Sequence, residues 1–230
     1  MKDGRYMSWD VLIYLIYVIL AILSAADLSA VILGSVLIAK FKKRYAFYGS
    51  GMILSGLYSS ALLMLRFINP LLHLSLERMV VTSVISSLLI VIAVILFFLH
   101  ARNNYGSKGI FVIIPVLVLS KIPVYLLSNY INAETLRNGY VTARLISLLN
   151  GLGIIAVLIY TALIYRKNRD KEKSAPKLWI FMLIAAIFLS FDLLFMTELY
   201  IPSHIADISL TISAFYLIRA LKKETKELEE

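Results

Sequence analysis

The chain contains no cysteine. That excludes a disulfide framework, a thiolate metal site and a cysteine nucleophile. Charge is scarce: 16% of residues are Asp, Glu, Lys or Arg, against about a quarter in a soluble domain. Histidine occurs three times, as His73, His100 and His204, each near an expected loop or helix end and without HExxH or other local ligand spacing. Solvated imidazoles are therefore expected, and neither a metal site nor a cofactor is predicted. The glycines form no phosphate loop and the serines have no neighbouring base, so catalysis is the class the motifs support least.

What is present is apolar. Hydrophobic residues make up 60% of the 230 and mean hydropathy is +0.85, values that point to a membrane protein. Crossing a hydrocarbon core takes roughly 20 apolar residues at about 1.5 Å each. Seven runs meet that length: 9–39, 45–67, 79–99, 109–131, 140–165, 178–200 and 201–221. The prediction is an all-α integral membrane protein, a seven-transmembrane-helix bundle followed by a charged tail over 222–230. The last two runs meet at "LYIPSH", where Pro202 removes a backbone donor and disfavours a helical Ile201, marking a tight hairpin.

Lysine and arginine set the expected orientation. With the N-terminus outside and the C-terminus cytoplasmic, the inner segments hold 16 of the 23 basic residues, among them Lys40, Arg44, Arg102, Arg166, Lys177 and Arg219. The outer side holds Lys2, Arg5, Arg66, Arg78, Arg137 and Arg144, as the positive-inside rule requires. The net charge of +9 is thus topogenic: its partner is the anionic inner leaflet of a cell membrane, and nucleic acid need not be invoked. A competing reading takes "VLIYLIYVILAIL" and "SAADLSA" as a signal peptide with its cleavage site, but the preceding "MKDGRYMSWD" lacks the basic bias such peptides need. The long first run is expected to tilt, to kink near Gly34 or to begin as an interfacial stretch.

Counting about 1.5 Å per residue from the inner ends places Asp27, Lys121, Asp192 and Asp207 in one layer in the outer half of the membrane. Arg144, Glu198 and His204 border it, and Asn150 lies nearer mid-depth. Each intramembrane charge costs about 2.5–3.5 kcal/mol on insertion scales, so such groups pair, line water or face the bundle interior. Two readings stay open: Lys121 staples helices by pairing with carboxylates, or the surplus of carboxylates over lysine forms a ligand or ion pocket. The inner half offers no acidic, basic or histidine stepping stones, which disfavours ion conduction. Gly49, Gly51 and Gly56 with Ser50, Ser55, Ser59 and Ser60 look like a small-residue packing face.

"SVLIAKFKKR" and "TALIYRKNRD" end the first and fifth runs, and "LLMLRFINPLLH" and "LLFMTELYIPSH" follow the second and sixth. These pairs suggest a 3+1+3 pseudo-repeat, an architecture similar to that of SWEET-like transporters. The helix count and orientation also resemble those of microbial rhodopsins, in which the retinal lysine follows an aspartate by four residues on the last helix. Here Thr211 follows Asp207 at that spacing, so covalent retinal is not expected. The tail "LIRALKKETKELEE" alternates charge at helical spacing and reads as a solvated helix end or a docking stub for a cytosolic partner. Three functions follow: a receptor-like or sensory protein binding a small ligand or ion in the charged layer, a small-solute transporter, or a non-catalytic accessory or assembly subunit.

Overall fold

The computed structural model describes residues 9–63, 76–106, 135–169, 177–195 and 201–229. These form six helices: α1 (Trp9–Lys40), α2 (Lys42–Leu63), α3 (Leu76–Tyr105), α4 (Thr135–Lys167), α5 (Leu178–Phe195) and α6 (Ile201–Glu229). No strand occurs among the described residues. Tyr17–Lys40, Leu88–Tyr105 and His204–Lys223 are long and apolar enough to cross a membrane. In hydrocarbon each backbone donor needs a partner within its own segment, which is why such runs are helical. The expected fourth run, 109–131, lies outside the described residues.

The ends of the helices follow local chemistry. Phe41 alone separates α1 from α2: its amide bonds the Leu37 carbonyl at 3.0 Å, and its carbonyl accepts from Arg44 and Tyr45 at 3.2 Å. Helix α3 runs six residues beyond the expected end at Leu99, because Arg102, Asn103 and Asn104 prolong it past the apolar stretch. It stops at Gly106, whose φ of 64° suits a left-handed cap; the Gly106 amide donates to the Arg102 carbonyl at 2.8 Å. Pro202 sits in the first turn of α6, where its missing donor is harmless. Residues 222–229 continue α6 as helix, so the charged tail prolongs the last span.

Neighbouring helices close a ring. Each of α1 to α5 packs on its successor, α6 packs back on α1, and α2 also touches α6. Helix α1 runs unbroken through Gly34, which serves a close crossing. A Cβ on Gly34 would lie 2.5 Å from the Gly49 carbonyl, and one on Gly49 would lie 2.6 Å from the Gly34 carbonyl. Two glycines thus let the α1 and α2 backbones meet directly.

Contacts fix the directions. Tyr48 and Ser55 of α2 bond Ser213 and Asp207 of α6, so these two helices are antiparallel, while α1 runs parallel to α6 through Asp27 and His204. Helices α3 and α4 are parallel as well: His100 meets Tyr165 and Phe98 meets Tyr160 near the C-terminal ends of both. Strict alternation is thus broken once, between α3 and α4. Basic residues gather at one end of the bundle, with Lys40, Arg102, Arg166 and Lys167 in last turns. There Arg166 stacks over Trp179 and Lys177 over Tyr216.

The core nearest this basic end is aromatic. Tyr45, Tyr48, Phe97, Phe98 and Tyr165 are buried there. Turned outward instead are Ile22, Leu28, Leu163, Ile212 and Phe215, each about half exposed or more. An apolar outer surface of this kind suits a hydrocarbon surround.

Candidate functional site

Away from the basic end, α1, α2 and α6 bring five polar side chains together. His204 and Asp207 are three residues apart on α6 and so share one face. Ser55 and Ser59 are four apart on α2 and face them in the same way. Asp27 comes from α1. All five are buried, with Asp27, Ser59 and His204 at 0% exposure and Asp207 at 3%.

The Ser55 and Ser59 hydroxyls donate to the Asp207 carboxylate, one to each oxygen. His204 Nδ1 lies 3.2 Å from Asp27 Oδ1. Among the described residues, Asp27 Oδ2 and His204 Nε2 have no hydrogen-bond partner, as is also true of His100 Nε2 and Thr211 Oγ1. An unsatisfied buried polar atom costs about 1–3 kcal/mol. One donor atom from each of Asp27, His204 and Asp207 lies within 4.8 Å of the other two. Beside Asp207 is a void of about 10 Å³ bordered by Ser55, Tyr58 and Ser59 on its polar side, room for one water.

Backbone approach makes the gathering feasible. A Cβ on Gly56 would lie 2.6 Å from the Asp27 carbonyl, so α2 presses against α1 at the level of the aspartate. Ser55, one residue earlier, and Ser59, three residues later, then reach α6.

Of the residues expected in one layer, Asp27 and Asp207 have carboxylate oxygens within 4.8 Å of each other. His204, expected at the border, contacts Asp27 directly. The solvated state expected for helix-end histidines is corrected for both His204 and His100, which have 0% exposure. His100 was misplaced because α3 continues five residues past it. Lys121, Glu198 and His73 lie outside the described residues. Arg144, Asn150 and Asp192 lie on α4 and α5, where the backbone alone is described. Ser55 and Ser59 read in sequence as packing residues; their spacing of four, which puts both hydroxyls on one helix face, was the signal available for paired donors. Comparison with known protein families, with characterised proteins and with solved structures finds no match for this chain.

Proposed function

We propose that this is a seven-span, receptor-like cell-membrane protein, N-terminus outside, that binds a small ligand or ion at the buried cluster in the outer half of the bilayer. The observation that carries the reading is Asp27, His204 and Asp207 drawn together from α1 and α6, with one carboxylate oxygen and one imidazole nitrogen unpartnered among the described residues. Buried polar groups in a membrane that serve packing alone are expected to satisfy one another.

The parallel course of α3 and α4 supports the span count. Two parallel neighbours need a return crossing between them, and 109–131 is the apolar run available in that interval. An odd number of crossings also gives α1 and α6 the same direction. Signal output has a route, since α6 is one unbroken helix from the cluster to Glu229, roughly 37 Å at 1.5 Å per residue.

The cysteine-free chain makes the test direct. A single cysteine introduced as Lys226→Cys carries a spin label or fluorophore in the tail, with the protein in nanodiscs. A panel of monovalent and divalent cations, amines and amino acids is then added. The expected result is a tail signal for one ligand class that vanishes in Asp27→Asn and Asp207→Asn. No tail signal from any compound, with these variants merely melting lower, would favour a helix staple and overturn the reading. A second reading, a transporter with a 3+1+3 plan, is favoured by the shared directions of α1–α3 and α4–α6; solute uptake into proteoliposomes would establish it instead.

A further inference from the structure

We infer that the ligand of this cluster is one divalent metal ion of the zinc, cobalt or manganese class, held by Asp27, His204 and Asp207. The inference rests on the ligand-site reading above and narrows it.

The donor set is two carboxylates and one imidazole. Calcium and magnesium favour all-oxygen surroundings, whereas imidazole beside carboxylate suits first-row divalent ions. Metal–ligand bonds of about 2.0–2.2 Å place ligand atoms roughly 3–4 Å apart. The three atoms already lie within 4.8 Å of one another, so small side-chain rotations close the set. Two of the ligands sit a single turn apart on α6, and the third comes from α1, which gives a three-sided site on two packed helices.

The surroundings match what a bound metal needs beyond its ligands. Ser55 and Ser59 hold both oxygens of Asp207, and outer partners of this kind orient a carboxylate toward an ion. The void of about 10 Å³ beside Asp207, bordered also by Ser55, Tyr58 and Ser59, has room for one water among the partners of that carboxylate. Charge agrees too: two carboxylates with a neutral imidazole carry −2, which a dication cancels where hydrocarbon would penalise the bare charges. The two unpartnered atoms, Asp27 Oδ2 and His204 Nε2, belong to two of the three ligands.

The experiment uses tag-free, full-length protein in nanodiscs, stripped with chelator and titrated with Co²⁺. One equivalent is expected to bind with visible d–d absorption, to be displaced by Zn²⁺, and to resist Mg²⁺ and Ca²⁺. Asp27→Asn and His204→Gln should each weaken Co²⁺ binding roughly 100-fold or more, Ser59→Ala about 10-fold, and His100→Gln not at all. Should a ligand variant fail to fold, pulsed EPR of Cu²⁺ bound to the wild-type chain supplies the second readout, with coupling to one imidazole expected. Absence of saturable Co²⁺ binding, survival of binding in His204→Gln, or coupling to no imidazole or to two, overturns the metal. The two proposals separate cleanly. An Asp27-dependent tail signal from an organic or monovalent ligand, without Co²⁺ binding, removes the metal and keeps the receptor; Co²⁺ bound at the cluster with a silent tail does the reverse.

Discussion

His204 and His100 are both fully buried, yet they sit in opposite kinds of surroundings. His204 faces carboxylates from α1 and its own helix. His100 is enclosed by the rings of Tyr45, Tyr48 and Tyr165 at centroid distances of 5.2, 5.3 and 6.0 Å, and its Nδ1 shares a hydrogen bond with the Tyr165 hydroxyl. The same helix, α2, serves both: Tyr48 at one level and Ser55 and Ser59 some 10–16 Å further along. At the His100 level, Tyr48 donates to Ser213, which in turn donates to the Leu210 carbonyl at 2.6 Å. Burial of a titratable ring is thus common to the two places. Each ring also has an Nε2 without a partner among the described residues; what separates the two places is the carboxylates beside His204, one of which, Asp27, has an oxygen in the same condition.

The contrast can be broken most severely at His100. Replacing it with Ala opens a hole among aromatic rings and should lower stability by about 3–4 kcal/mol, read from unfolding in micelles, while the cation response survives. Loss of that response would mean that the two levels are not independent. Ser59→Ala is expected to cost about 2–3 kcal/mol, since a buried carboxyl oxygen loses its donor; unlike His100→Ala, it should also weaken ligand binding. Gly34→Ala drives a methyl group into the Gly49 carbonyl and should cost about 2 kcal/mol. It separates α1 from α2 at a level between the two histidines, so a melt with normal ligand affinity would place the coupling elsewhere. The mildest change is Tyr48→Phe, which removes one neutral hydrogen bond and should cost about 1 kcal/mol, with no effect at the His204 level.

The helical character, the chain's suitability for a membrane and two of the three ionisable groups could be read from the sequence. Asp27 and Asp207 stood out because acids in apolar runs are rare. His100 was misjudged because a hydropathy run marks where hydrocarbon ends, not where the helix ends, and α3 goes on through Arg102 and Asn104; His204 does lie near the start of its helix, and the approach of Asp27 from α1 buries it there. Ser55 and Ser59 were hidden by chemistry shared between roles, since small polar residues both permit close packing and donate hydrogen bonds. The meeting of α1 with α6 is a contact between residues 177 positions apart, and no local spacing encodes it.

Gly56 has a consequence of its own. Its missing side chain lets α2 lean on the carbonyl of Asp27 while Ser55 and Ser59, on either side of it, grip Asp207. Residue 56 therefore behaves as a shim between two jaws, one carboxylate on each. A methyl group there would meet the Asp27 carbonyl at 2.6 Å and force the jaws apart, so in the proposed metal site Gly56→Ala is expected to alter the preference for ionic radius without changing any ligand atom.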